Sequence, residues 1–268
     1  MISDANATLL ARIGFAARGL VYMLVGWFAI DAGLRGGRAA DNQGAIATLA
    51  DEPFGHVLLA IVAAGLLGFA LWRLTEGIAN PERIGSDAKA GFKRAGQIVS
   101  GITHLVLAWT AARLAVGASS GRGMSPGDDS ARDWTAWLLS QPLGQLLVGL
   151  VGLGLFAAAA QQGVRAWKGN FVDELRGSTP LPGYVCTVGR IGYAARALVF
   201  VIIGVFFIVA AWTARASEAG GMADALAALQ NQPGGTWLLA ATGLGLALFG
   251  IFSSVEARYR TIHVHIPG

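Results

Sequence analysis

Residues 12–22 read RIGFAARGLVY, and residues 190–200 read RIGYAARALVF. The two segments agree at eight of eleven positions, and each opens an apolar run of the roughly 20 residues needed to cross a lipid bilayer. Residues 94–104 are a weaker copy, in which Arg94 and Gly96 repeat the arginine and the first glycine. This agreement is far beyond chance. The sequence therefore predicts a membrane protein that is built from internal repeats.

A second signature marks the other half of each repeat, where a proline is followed two residues later by a glycine. It occurs as Pro53-Phe54-Gly55, Pro142-Leu143-Gly144 and Pro233-Gly234-Gly235. A leucine- and glycine-rich run follows each signature, and the segments AIATLADEP, WTAWLLSQP and ALAALQNQP include the prolines at their ends. We interpret these segments as short helices that lie flat at the outer membrane surface and end at the proline.

Six apolar runs predict six transmembrane helices, at roughly residues 15–34, 56–76, 97–117, 143–165, 191–213 and 236–257. Paired in chain order, they give three repeats over residues 12–80, 94–170 and 190–260 of a single membrane domain, 1–268. The predicted fold class is an all-α membrane protein with three helical hairpins in a pseudo-threefold arrangement. We expect the hairpins to close into one compact bundle, because a lone hairpin cannot bury its packing faces.

Composition supports a membrane protein and excludes several other classes. Apolar residues make up 54% of the chain and charged residues 13%, whereas soluble domains carry about 25% charged residues. The 38 glycines suit membrane helices that pack backbone to backbone. The single cysteine, Cys186, excludes an internal disulfide and a cysteine-based metal cluster. The net charge is only +4, and the basic residues are placed according to the two sides of the membrane rather than along a basic groove. No nucleic-acid partner is therefore expected.

The basic residues predict the orientation in the membrane. Fourteen of the 20 Lys and Arg residues fall on the side that carries both termini, and six fall on the other side together with nine of the 16 acidic residues. Positively charged loops stay in the cytoplasm. We therefore expect a multi-pass protein of the bacterial inner (plasma) membrane with both termini in the cytoplasm.

The repeated openings and the three proline–glycine signatures resemble the family catalogued as domain of unknown function 1206, which comprises bacterial and archaeal triple-hairpin membrane proteins. The resemblance covers nearly the whole chain and implies the triple-hairpin fold, but it implies no activity. The middle repeat departs from the pattern at Gln97 and Ser100. We expect its role to differ from that of the other two repeats.

Charged residues inside a membrane span are costly, and they are functional candidates by default. Five of them form a predicted inner-side charge ring: Arg18, Glu76, Arg165, Arg196 and Glu256. Where the middle repeat loses its first-helix arginine at Ser100, its second helix replaces glutamate by Arg165. This joint change predicts that Arg18 pairs with Glu76 and that Arg196 pairs with Glu256. The ring is interpreted as a structural staple between hairpins or as a gate or anion site.

Four further polar residues are intramembrane candidates: His104, Tyr22, Gln161 and Gln162. His104 could relay a proton or bind a metal, since the histidine pKa lies near neutrality. Its equivalents in the other repeats are Tyr22 and Phe200, so the position also fits a simple aromatic filler. The two glutamines could line an inner vestibule or form interhelical hydrogen bonds.

Two other groups are weaker candidates for a site. The tail pair His263 and His265 could bind a metal weakly, but a third ligand is missing. The outer acids Asp128, Asp129 and Asp133 are interpreted as a solvated loop rather than a calcium site. We therefore predict no metal site and no cofactor.

Three functions remain open from the sequence. The favoured one is a structural or accessory membrane subunit that packs through glycine-rich faces against a partner membrane protein or another copy of itself. The alternatives are a small transporter or channel with a site between the three hairpins, and a lipid- or quinone-binding module. Enzyme activity is not expected, because no nucleophile–base pair, metal-ligand cluster or carboxylate pair stands out in the sequence.

Overall fold

The computed structural model describes residues 4–37, 39–51, 53–79, 87–117, 126–175 and 182–260. Six long helices occur in these ranges: α1 (Asp4–Arg35), α3 (Gly55–Ala79), α4 (Ala88–Ala115), α6 (Gly144–Lys168), α7 (Val185–Thr213) and α9 (Gly235–Tyr259). Each is long and apolar enough to cross a membrane, so the chain is a multi-pass membrane protein. The tail residues His263 and His265 lie outside the described residues.

A short helix precedes each proline–glycine signature, as the sequence predicts. These helices are α2 (Asn42–Thr48), α5 (Pro126–Leu139) and α8 (Met222–Gln230). Short 3₁₀ segments at Leu49–Asp51, Asn170–Leu175 and Ala216–Glu218 complete the described helical structure. The all-α fold class with three repeated hairpins is thus confirmed.

One turn is used three times to connect a short helix to the following long helix. The residue after each proline is in the left-handed region, with φ values of 61° at Phe54, 63° at Leu143 and 73° at Gly234. A Cβ atom on the next residue (Gly55, Gly144 or Gly235) would collide with a backbone carbonyl oxygen at the end of the short helical segment. Only glycine fits there because it has no Cβ atom. The proline–glycine signature is therefore a requirement of this turn.

The long helices follow one another around a ring in chain order. The most extensive interfaces join different repeats: α1 packs along α9, α3 along α4, and α6 along α7. Within the hairpins, α1 also packs on α3, and α7 packs on α9. The between-repeat interfaces thus occur three times, as a pseudo-threefold arrangement requires.

Small residues occupy the crossing points between repeats. The equivalent pairs are Gly26 with Gly243, Gly204 with Gly152, and Ala108 with Ala63. A Cβ atom on Gly26 would lie 2.5 Å from the carbonyl oxygen of Gly243, and one on Gly152 would lie 3.2 Å from that of Gly204. Glycine at these points lets two membrane helices approach backbone to backbone.

The middle hairpin lacks the interface that closes the other two. The closing pairs are Gly14 with Phe69 and Ala17 with Gly65 in repeat one, and Gly192 with Phe249 and Ala195 with Gly245 in repeat three. The equivalent positions in repeat two are Gly96 with Ala158 and Val99 with Gly154. No atom lies within 4 Å of a Cβ atom built on Gly96 or Gly154.

The described helices α4 and α6 therefore do not pack along each other, and the ring of six long helices is open between these two. The expectation of a closed bundle is wrong at this one interface. Its physical cause is visible in the sequence, because Ala158 replaces the phenylalanine ring that fills the interface in the other repeats. Val99 is 63% exposed at the edge of the opening.

Candidate functional site

Arg18 is the centre of a buried polar network on the membrane side where α1 begins and α9 ends, called here the terminal side. Its Nε atom donates a hydrogen bond to Ser253 Oγ at 2.9 Å, and its Nη2 atom pairs with Glu256 Oε2. Ser253 Oγ donates in turn to the carbonyl oxygen of Phe15 at 2.8 Å. The network joins α1 to α9 and therefore connects repeat one to repeat three.

Glu76 is the second buried carboxylate on the terminal side. Arg73, one turn earlier in α3, donates from Nη1 to Glu76 Oε2 at 2.7 Å. Arg260, directly after α9, lies 3.1 Å from Glu256 Oε1 and 4.0 Å from Glu76 Oε1. Arg260 thus bridges the two carboxylates and connects α9 to α3.

The expected pairings of Arg18 with Glu76 and of Arg196 with Glu256 are wrong. The reason is that the between-repeat interfaces are the closer ones, so each first helix meets the second helix of the preceding repeat. The residues at equivalent repeat positions of the three junctions are Arg18 and Glu256, Ser100 and Glu76, and Arg196 and Arg165. At the junction of Glu76 the arginine position holds a serine, and Glu76 pairs with Arg73 instead.

Aromatic rings surround the Arg18 guanidinium. Its central carbon lies 5.0 Å from the ring centre of Phe15, 4.9 Å from that of Phe69 and 5.2 Å from that of Phe249. Arg73 approaches the ring of Phe69 at 5.1 Å. Each such cation–π contact stabilises the charge by about 0.5–2 kcal/mol, so the rings offset part of the cost of burying arginine.

Arg196 differs from Arg18 in having no ion pair and no hydrogen bond to any described residue. Its Nε atom is buried without an acceptor. The guanidinium carbon instead lies 4.4 Å from the ring centre of Phe249, 5.1 Å from Phe200 and 5.3 Å from Tyr22. Arg165, at the equivalent repeat position on α6, donates to Tyr193 Oη at 3.0 Å.

His104 occupies the same packing position as Tyr22. Its ring centre lies 4.5 Å from that of Phe69, and the ring of Tyr22 lies 4.9 Å from the equivalent Phe249. His104 Nδ1 is 2.7 Å from the carbonyl oxygen of Ser100, so Nδ1 carries the hydrogen and Nε2 is the acceptor. This geometry supports the aromatic-filler interpretation, and the proton-relay interpretation stays a prediction.

The two glutamines of α6 are placed differently. Gln161 is exposed, whereas Gln162 is half-buried and its Oε1 atom is buried without a hydrogen-bond donor. Gln162 is the repeat equivalent of Ser253, which accepts the hydrogen bond from Arg18. The junction between α6 and α7 therefore lacks the direct bond found between α1 and α9.

A family model described as Domain of Unknown Function (DUF1206) matches the chain over residues 13–80, 95–169 and 191–260. The chain belongs to this family. It is also 33% identical over 252 residues to the uncharacterized protein YxxB of Bacillus subtilis (strain 168), a match that covers 93% of this chain and 90% of that relative. No solved structure matches the chain. The predicted family membership and the threefold repetition are thus confirmed.

This DUF1206 protein carries a second polar cluster on the side opposite the terminal side, where the short helices meet. Asp41 caps α2, since its Oδ1 atom accepts from the Gly44 amide at 2.6 Å, and its Oδ2 atom accepts from the Gly127 amide of α5 at 2.7 Å. Asp128 Oδ2 accepts from the amide of Asp224 in α8 at 3.0 Å. The carboxylates therefore connect the first turns of α2, α5 and α8.

The interpretation of Asp128 as part of a solvated loop is wrong, because its side chain is fully buried in the first turn of α5. Burial, reinforced by the carboxylates of Asp224 and Asp41, raises the pKa of Asp128 to about 7. Burial also raises the pKa of Asp41, although the backbone amides of Gly44, Gly127 and Gln43 lower it. Arg132 pairs with Asp224 on the exposed side of the cluster.

The signal that could have revealed this cluster is an aspartate at the start of each predicted short helix, where carboxylates cap backbone amides. The cluster is not arranged as a metal site. Among the described residues, no group of three or more His, Cys, Asp or Glu side chains is placed to hold a metal ion.

Proposed function

We propose that this protein is an accessory subunit of the bacterial inner (plasma) membrane that holds a transmembrane helix of another membrane protein between α4 and α6. Both termini lie in the cytoplasm in this proposal, which the excess of 14 over six basic residues on the terminal side supports. The observation that carries the proposal is the unfilled interface of the middle hairpin.

Glycine is costly in a helix unless close packing needs it, by about 1 kcal/mol relative to alanine. Gly14 and Gly65 in repeat one are packed against the neighbouring helix of their hairpin. Gly96 and Gly154 keep glycine at these repeat positions, although nothing in the described chain packs on them. A helix seated in the opening would contact both open glycines at once and restore the missing interface.

Polar groups on the same faces support a protein occupant. Gly154, Ala158 and Gln161 are spaced by four and three residues, so they share one face of α6. Thr103 follows Gly96 by seven residues on α4 and is exposed. An exposed glutamine beside small residues is typical of transmembrane helix association, where an interhelical hydrogen bond contributes about 0.6–2 kcal/mol.

We do not propose catalysis, because the carboxylates Glu76 and Glu256 are both engaged in ion pairs on the terminal side. Small-molecule transport is a second candidate that the same opening favours. If α4 closed onto α6, Gly96 would meet Ala158 and Val99 would meet Gly154. Such closure would change access to the interior of the ring.

Photocrosslinking in native membranes tests the accessory function. A photoreactive p-benzoylphenylalanine at Ala158 should crosslink one defined membrane protein, and the same protein should be crosslinked from Gly96. The matched control is Leu67, an exposed apolar residue of α3, a helix that does not border the opening. Replacement of Gly154 by Leu should remove the partner from the purified complex. Crosslinks to lipid alone, or only to a second copy of this chain, would contradict the proposal.

An intrachain disulfide separates the two candidate functions. With Cys186 replaced by Ser, cysteines at Val99 and Gly154 should stay reduced if a partner helix fills the opening. Ready formation of that disulfide in native membranes would show that α4 closes onto α6, and it would favour transport over the accessory function.

A further inference from the structure

The junction between α6 and α7 carries positive charge where the other two junctions carry a carboxylate. Arg18 meets Glu256 at the first junction, whereas the equivalent repeat positions hold Ser100 and Glu76 at the second junction and Arg196 and Arg165 at the third. Arg196 is the twelfth of the 29 residues of α7 and therefore lies well inside a membrane span. An arginine at such depth costs at least about 2.5–3.5 kcal/mol without a partner.

No described carboxylate on the terminal side of the spans is free to pair with Arg196. Glu256 is held by Arg18 and Arg260, and Glu76 is held by Arg73 and approached by Arg260. The Nε atom of Arg196 is buried, so this donor is shielded from water. Its counter-charge must come from outside these side chains.

The surroundings of Arg196 leave its hydrogen-bonding edge available. The rings of Phe249, Phe200 and Tyr22 contact the guanidinium at 4.4–5.3 Å, and such contacts leave the in-plane N–H donors without acceptors. Gln162 on the facing helix has an equally unsatisfied buried Oε1 atom. At the equivalent place between α1 and α9, the Nε atom of Arg18 bonds directly to Ser253. The donor on Arg196 and the acceptor on Gln162 are thus both unpaired at the α6–α7 junction, whereas the equivalent groups are bonded at the α1–α9 junction.

We propose that Arg196 and Gln162 bind a phosphoryl oxyanion between α6 and α7, near the terminal side of the membrane. A guanidinium edge matches two oxygens of a phosphoryl group, and the amide nitrogen of Gln162 supplies a further donor. The anion is either the head group of an anionic phospholipid or free phosphate. The site lies at the α6–α7 junction and not at the opening between α4 and α6, so it does not depend on the accessory function.

Thermal unfolding of the lipid-depleted protein in detergent tests this site. The probes are phosphatidylglycerol in mixed micelles, with phosphatidylcholine as the lipid control, and sodium phosphate, with sodium chloride at equal ionic strength. At about ten times the dissociation constant, a bound anion should raise the Tm of the wild-type protein by about 2–4 °C. A shift with phosphatidylglycerol alone assigns a lipid head group, and a shift with both assigns a free oxyanion site.

The variant Arg196→Gln should lose this shift, whereas Arg12→Gln removes the same charge from an exposed position of α1 and should keep it. Without added anion, Arg196→Gln should be at least as stable as the wild-type protein, because it removes an unpaired charge. An Arg196→Gln variant that folds and keeps the full anion-induced shift would overturn the proposal.

A second variant covers the case in which Arg196→Gln does not fold. Gln162→Leu keeps the arginine and should reduce the anion-induced shift by at least half. An unchanged shift in both variants, or no response of the wild-type protein to either anion, would also overturn the proposal.

Discussion

At the scale of single residues, the buried ion pair between Arg18 and Glu256 links the first repeat to the third. Breaking a buried ion pair by removing one partner costs about 3–5 kcal/mol, because the other charge stays buried. We predict a coupling free energy of about 1–3 kcal/mol between Arg18→Gln and Glu256→Gln in a double-mutant cycle, measured by reversible unfolding in detergent.

The matched cycle pairs Arg18→Gln with Glu76→Gln. In the wild-type protein, the Glu76 carboxylate pairs with Arg73. The coupling in this cycle should be clearly smaller, since the structure shows no ion pair between Arg18 and Glu76 and connects them only through Glu256 and Arg260. Equal coupling in the two cycles would contradict the assignment of partners.

Asp128 makes the stability of the protein dependent on pH. Its pKa is about 7 in the folded protein and near 3.8 in the unfolded chain, so the folded state holds more protons between these values. Stability therefore falls as pH rises from about 4 to about 7. We predict that Tm is higher at pH 5.5 than at pH 8 and that Asp128→Asn raises Tm at pH 8 and flattens the profile.

The groups that face Asp128 are Asp41 before α2, Asp224 on α8 and Arg132 on its own helix. Asp129→Asn is the matched control, since this neighbouring carboxylate is exposed. It should leave the slope between pH 5.5 and pH 8 unchanged. A wild-type Tm that rises with pH over this interval would contradict the prediction.

Comparison of the three repeats with one another placed Arg18, Glu76 and Glu256 on the same side of the membrane, but it could not assign their ion-pair partners. Equivalence between repeats gives the depth of a residue in the membrane, whereas a partner depends on which helices lie closest. The buried position of Asp128 was missed for a related reason: hydropathy places an aspartate in a loop unless its capping of a neighbouring helix is recognised.

At the scale of the elements, the turn after each proline gives a sharp test of why glycine recurs. A Cβ atom on Gly144 would collide with the carbonyl oxygen of Leu138, whereas one on Gly154 in the same helix meets no atom within 4 Å. Gly144→Ala should therefore destabilise the purified protein by about 2 kcal/mol or more. Gly154→Ala should stabilise it by up to about 1 kcal/mol.

Both variants add one methyl group to α6, so the comparison isolates packing from helix propensity. Unfolding in detergent by a chemical denaturant measures both effects. Equal effects of the two substitutions would show that the left-handed turn does not exclude a side chain at Gly144.

The long helices could be predicted from the sequence, but their ends could not. The apolar pattern places the first span near residues 15–34, whereas α1 begins at Asp4. The length of an apolar run corresponds only to the part of a helix that lies in the lipid. Polar residues such as Asn6 and Thr8 continue the helix beyond it, and hydropathy alone does not separate them from a loop.

At the scale of the whole molecule, the pseudo-threefold arrangement was predictable, whereas the opening between α4 and α6 was not predicted. Its signal is nevertheless present in the sequence. Phe69 and Phe249 lie sixteen residues after their prolines, and the equivalent residue of the middle repeat is Ala158. A lost ring between two helices leaves a gap unless the helices move together, and neither composition nor periodicity decides between these outcomes.

Because the arrangement is pseudo-threefold, two observed contacts between repeats predict a third contact at the equivalent positions. A Cβ atom on Gly33 of α1 would lie 3.5 Å from the Cβ atom of Ala240, and one on Gly149 of α6 would lie 3.8 Å from that of Ala211. Both separations fall in the range of about 3.5–4.5 Å that a disulfide requires. These pairs occupy equivalent repeat positions, and the third equivalent pair is Ala115 on α4 with Ala60 on α3.

With Cys186 replaced by Ser, cysteines at each of these three pairs should form an intrachain disulfide on mild oxidation, which the mobility of the unreduced protein in gel electrophoresis would report. Cysteines at Val99 and Gly154, across the opening, should stay reduced. If Ala60 and Ala115 fail to crosslink while the other two pairs succeed, α3 and α4 pack in a different register from the other interfaces. The middle repeat would then depart from the symmetry at both of its helices, and the opening would reflect a displaced α4 rather than the missing ring at Ala158.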